Sequence, residues 1–167
     1  MGKITIGLSK IEIGDIAVDG GMGTSLAQLG YTYKDSCSLV TADPETTEHY
    51  AEEVDDPVVS FDKVGKTTLS FQVMNPDVDT LAALLGGTGN TETGVWSAPA
   101  TIPVIEKSVK VTPSQGLYFE IPRMKLTAKI NANFSKSGIF LIDVVGTVLA
   151  PTKTGEPKLK ATRITAP

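Results

Sequence analysis

A histidine set among carboxylates is the smallest group of side chains able to hold a metal or relay a proton. His49 has Glu48, Glu52 and Glu53 around it. A single histidine with no second ligand at a fixed spacing reads instead as a solvated residue. A thiol attacks only as its thiolate, and Cys37 has no basic neighbour closer along the chain than Lys34 and no companion histidine. The glycine clusters at 20–23 and 86–90 lack the Lys-Ser/Thr of a phosphate loop and open no helix after a strand. Arg123, Lys125 and Lys129 form a basic row, but no aromatic is interleaved on their face to stack on bases. The residues therefore predict no enzyme, no cofactor, no metal and no sequence-specific nucleic-acid reader.

The elements that would position such groups are mostly strands. From Thr67 to Val73, Leu69, Phe71 and Val73 alternate with Thr68, Ser70 and Gln72, the period of a strand buried on one face. The pattern stops at Asn75-Pro76, a capping residue followed by a proline suited to a first helical turn, with Asp77 and Asp79 near the positive end of the dipole. Val78, Leu81, Ala82 and Leu85 then share a helical face, and Gly86-Gly87 supplies a left-handed stop. A helix over about 76–85 is too short to stand alone in water, so it must lie on a sheet.

Among the remaining segments, residues 1–19 read as an arm or edge strand, with Ile4, Ile6, Ile11 and Ile13 seeking a partner. The stretch 42–57 reads as a long acidic loop or hairpin reaching a neighbour, and Val58–Phe61 as a strand turning directly into Thr67–Val73. The glycine-rich stretch after the helix reads as a loop anchored by Trp96. Strands follow at Ile105–Val111, at LYFEIP and at Arg123–Phe134, the last with a dry face (Met124, Leu126, Ala128, Ile130, Ala132, Phe134) and a wet one. A return strand runs to about Val148, and the extension 151–167 holds a last edge strand. Roughly eight to ten strands and one helix make a mainly β fold, an antiparallel sandwich or barrel with a short flanking helix.

The length of 167 residues suits a single domain, and with Cys37 alone no disulfide staples it. No stretch approaches the twenty apolar residues of a membrane span and no leader is visible, so the chain is expected in the cytoplasm. Its net charge of −4 hides a split: residues 1–100 carry 15 acids against 5 bases, and 101–167 carry 4 acids against 10 bases. Either the halves neutralise each other within one copy, or an acidic face meets the basic face of the next.

The order of these features resembles the major tail tube protein of long-tailed bacteriophages: the IGLSKIEIG arm, the acidic ribbon, the strand running into NPDVDTLAALLGG, the Trp96 loop, the Arg-headed strand and the closing DVVGTVLAP. The resemblance implies a β-sandwich or barrel flanked by a helix, stacked as hexameric rings around a DNA-carrying lumen in the virion. It implies as partners further copies of the chain, a tail terminator, a baseplate initiator and a tape-measure protein. Ile4, Ile6, Ile11, Ile13, Glu48, Glu52, Glu53, Asp55 and Asp56 are then the expected assembly contacts. Arg123, Lys125, Lys129 and Asn131 are the expected inner wall, with bases paired to acids so that DNA is not gripped. Deleting residues 1–14, or reversing Glu52 and Glu53 to Lys, is expected to abolish stacking and spare the monomer. A capsid decoration protein or a ligand-binding sandwich would share the site-free, β-rich character.

Overall fold

Alternating side chains force strands to bury one face, and the computed structural model, which describes residues 2–164, gathers those faces around a single core. Met1 and residues 165–167, the outer ends of the expected arm and extension, lie outside the described residues. The strands are β1 (Lys10–Gly14), β2 (Leu26–Gln28), β3 (Ser38–Thr41), β4 (Glu45–Ala51), β5 (Val54–Lys63), β6 (Thr67–Val73), β7 (Thr88–Asn90), β8 (Val95–Ser97), β9 (Ile105–Thr112), β10 (Leu117–Ala132), β11 (Phe140–Val148) and β12 (Lys160–Arg163), with the helix α1 (Val78–Leu85) between β6 and β7. Eight of them form one antiparallel sheet in the order β2-β1-β9-β10-β11-β6-β3, with β12 beside the start of β10. The sheet curls into a half-barrel, and α1 lies against β9 and β10.

The dry faces meet as expected. Leu69, Phe71 and Val73 of β6 are buried beside Ile142 and Val144 of β11 and Leu126 of β10. Gly146 sits in the same layer because the Met124 side chain occupies the space a Cβ would need.

The helix begins two residues later than its sequence suggests. Asp77, not Asn75, is the cap: its backbone is extended and its carboxylate accepts the Thr80 N–H at 2.7 Å. Asn75 is drawn away to accept the N–H of Tyr31. Gly86, at φ 75°, ends the helix as expected, and Trp96 donates its indole N–H to the Gly86 carbonyl at 2.9 Å. The fully buried positions are Thr80 and Leu84, and of the four residues expected on the inward face Leu81 and Leu85 pack against the core. Val78 and Ala82 turn towards the small β7–β8 hairpin, whose Gly89 backs onto both, so the helix is covered from two sides. That hairpin stands where a loop was expected.

Three other expectations are corrected. Ile11 and Ile13 are not assembly contacts: they are core residues, 1% and 6% exposed, because β1 pairs with β9 along its whole length. The strand expected to turn into β6 is β5, and it pairs with β4 while β6 takes β3 and β11 as neighbours. LYFEIP and the Arg-headed strand are one strand, β10, which ends before Phe134. That residue is 90% exposed, outside any dry face.

A bulge explains how β10 stays continuous. The register with β9 shifts between Ile121 and Met124, so both residues face the core although they are three apart, an odd spacing that a regular strand would split between faces. Pro122 sits in the shift, where its missing N–H breaks no ladder bond. Its carbonyl accepts from the Ser108 hydroxyl at 2.7 Å, and the Ser108 Oγ in turn accepts the Gly23 N–H at 2.9 Å. Ser108 is fully buried. Ser108→Ala should therefore destabilise the chain by about 1–3 kcal/mol, since two buried backbone groups lose their partner; urea melts of the two chains measure it.

Candidate assembly surfaces

Three surfaces take no part in the core. The first is the β4–β5 hairpin, whose strands make their substantial contacts with each other alone. Every residue of both strands except the half-buried Ala51 is exposed, and Glu52 and Glu53 form the turn at its tip. Residues 43–63 carry eight acids and one base. None of those acids makes an ion pair among the described residues, whereas Asp15 and Asp19 do reach the basic half, pairing with Lys107 and Lys153. The charge split thus closes partly inside the chain and stays open on the hairpin. Apolar side chains share this ribbon: Tyr50, Val58 and Phe61 are about 60% exposed. A two-stranded hairpin is marginal in water on its own. Expected contacts Glu48, Glu52, Glu53, Asp55 and Asp56 all lie here and all are exposed.

His49 also lies here. It meets Phe61 edge-on, ring centres 6.3 Å apart. Glu48 is engaged by the Tyr50 hydroxyl at 2.7 Å, a bond that pushes the phenol above its ordinary range. Cys37 is half-buried, and burial pushes its thiol up, away from the thiolate. No group of three or more His, Cys, Asp or Glu suited to a metal occurs among the described residues. No helix there is long and apolar enough to cross a membrane.

The second surface is residues 2–7, ahead of the core-packed Leu8. Ile4 and Ile6 are 76% and 60% exposed, unlike Ile11 and Ile13. The segment is tied down lightly, by Ile6 N–H to Gln115 O at 3.3 Å and Leu117 N–H to the Thr5 hydroxyl at 3.1 Å.

The third is the polar face of the sheet, opposite the core. Strand register sets Glu12 beside Lys110, Lys110 beside Glu120 and Glu120 beside Lys160, a row of alternating sign across four strands. Lys110 and Lys160 stand 3.7 and 3.9 Å from Glu120. Farther along β10, Arg123 forks onto Glu106 with bonds of 2.8 and 3.2 Å, and Lys125 lies opposite the same Glu106. Lys129 is 3.6 Å from Asp143, which also accepts from Gln72 and Asn131. The four residues expected on the inner wall thus share one face, and two of the three bases among these four hold a carboxylate. Sequence pattern put the bases together; it gave no sign of Glu106 and Asp143, which arrive from β9 and β11.

Hydrogen bonds from Arg123 hold the Glu106 carboxyl below its ordinary value. A carboxylate whose pKa falls on folding adds stability that is present above the unfolded value, about 4.3 for Glu, and is lost as pH drops through the folded value. The melting temperature should hold from pH 7 to about 5 and fall below about 4. In Glu106→Gln the fall should be shallower, and the deficit of this variant at neutral pH should shrink in acid; thermal scans at several pH values test both.

Clefts of about 570, 450 and 620 Å³ flank the sheet. The first is lined by Cys37 and Lys34, the second by Trp96 and Ile130, the third by Ile16 and Asp77. No protein-family model matches the chain, and no curated protein matches it either.

Proposed function

We propose that the chain is a structural subunit that assembles with copies of itself into stacked rings, forming a tube of the phage-tail type through which DNA passes without catalysis. The observation that carries this reading is the acidic, apolar-edged hairpin, whose strands among the described residues make substantial contacts only with each other. Such a surface is costly to leave in water and gains by meeting a neighbour of opposite charge. A head-to-tail contact of this kind closes into a ring or extends as a filament.

The polar face of the sheet is the wall that faces the lumen. Its carboxylates already occupy Arg123 and Lys129, so a passing phosphate finds few free cations and binds weakly. Terminator, initiator and tape-measure proteins would bound the tube, and the assembled particle would reside in the virion. Negative-stain electron microscopy of the purified chain at rising concentration is the test. Rings and then tubes are the expected result; trimers or closed shells without tubes would point to a decoration protein, and a persistent monomer would end the reading.

A further inference from the structure

The strand β10 is longer than the strand on one side of it. On one flank β11 pairs with it from Met124 to Ala132, but on the other β9 reaches no farther than Leu126. Residues 127–132 therefore offer an unpaired edge, and no backbone hydrogen bond among the described residues reaches it. Beside that edge lies the 450 Å³ groove, lined by Leu85, Trp96, Pro103, Val104, Ala128 and Ile130. Val104 and Ile130 are 72% and 48% exposed. Open backbone next to an apolar floor is what an added strand requires: main-chain bonds hold it, and alternate side chains fill the groove.

We infer that this groove receives residues 3–6 of a second copy as an added strand in line with β9. Lys3-Ile4-Thr5-Ile6 alternates in the required period, both isoleucines are exposed, and Gly7 at φ 71° provides a hinge behind them.

A chain cannot fill its own groove. The segment is held beside Gln115, at the opposite end of β10, roughly 40 Å from Thr127 at the rise of a strand. Five residues span at most about 18 Å. Donor and acceptor at opposite ends of one strand make the contact head-to-tail, each copy giving forward and receiving from behind. An added strand of four residues falls well short of the 20–30 residues a side of a stable pair, so it supplements other contacts between copies and does not hold them together alone.

This inference deepens the tube reading but stands or falls separately from it. In a Cys37→Ser background, the full chain carrying Ile4→Cys and Ile130→Cys is treated with a short bis-maleimide. A ladder of linked dimers, trimers and higher species is expected, and each single-cysteine variant should give no species above a dimer. In parallel, a fluorescent peptide of residues 2–9 is titrated with the full chain. Ile130→Lys in the chain, or serine for Ile4 and Ile6 in the peptide, should weaken binding at least tenfold. Tubes without a ladder or peptide binding would overturn the strand addition and leave the tube standing. A ladder and peptide binding without tubes would do the reverse, and the absence of all three would overturn both. If the double-cysteine chain does not fold, the peptide titration decides alone.

Discussion

Replacing residues 44–62 by a short Gly-Ser turn is expected to abolish ring stacking while leaving the melting temperature within about 2 °C of the parent, since changes remote from packed features alter stability by about 0.5 kcal/mol or less. The excision is clean because the hairpin leaves the body at one place. Ala42 N–H bonds the Lys66 carbonyl at 2.9 Å, and the β3–β6 pairing continues from there, so the cut falls outside the sheet. What is lost is the acid-rich ribbon with its exposed Tyr50, Val58 and Phe61. Glu52→Lys with Glu53→Lys reverses the charge at the tip without removing the ribbon and should likewise abolish stacking while the monomer stays folded. Sedimentation velocity and electron microscopy read both. Tubes of ordinary length from the excised chain would remove the hairpin from the assembly. Deleting residues 1–14 is no longer a comparable test, because it takes away β1, Ile11 and Ile13 and would unfold the core; a deletion ending at Leu8 spares them.

Leu84→Ala should cost about 2–5 kcal/mol, the range for a large-to-small change at a buried site. For a chain of this size that lowers the melting temperature by about 4–20 °C. Leu84 is 1% exposed and is the buried apolar residue by which α1 holds the sheet. An eight-residue helix has little stability of its own, so loosening this anchor also frees the β7–β8 hairpin packed on its other side. Guanidinium melts followed by circular dichroism and by Trp96 fluorescence measure both parts, and the Trp96 signal should change with the helix, to whose C-terminal carbonyl it is bonded. A cost below about 1 kcal/mol would mean that the helix is held from elsewhere.

Much of the architecture could be read directly from the residues. The period-2 runs of β6, β9 and β10, the continuous apolar run of β11 and the Gly86 stop are local signals, fixed by side-chain pattern and by the one residue type that accepts positive φ freely. The missed features share a different origin. Asn75 looks like a cap in isolation, but Tyr31, 44 residues away, claims its side chain and leaves Asp77 to start the helix. The break in alternation at Pro122-Arg123 looks like two strands, because the bulge that joins them depends on Ser108 bridging from β9 and Gly23 closing from a distant loop. Ile11 and Ile13 have the same pattern as Ile4 and Ile6, and nothing local tells the pairs apart; pairing with β9 buries one and leaves the other in water.

By itself the sequence determined that this is a mainly β chain with one short helix, an acidic ribbon and a basic row, since composition and period are properties of neighbouring residues. Which apolar residues are core and which remain to be covered, and which carboxylates neutralise the basic row, was decided only by the tertiary structure. The physical reason is that strand pairing joins residues far apart in the chain, and both burial and charge neutralisation depend on which strands become neighbours.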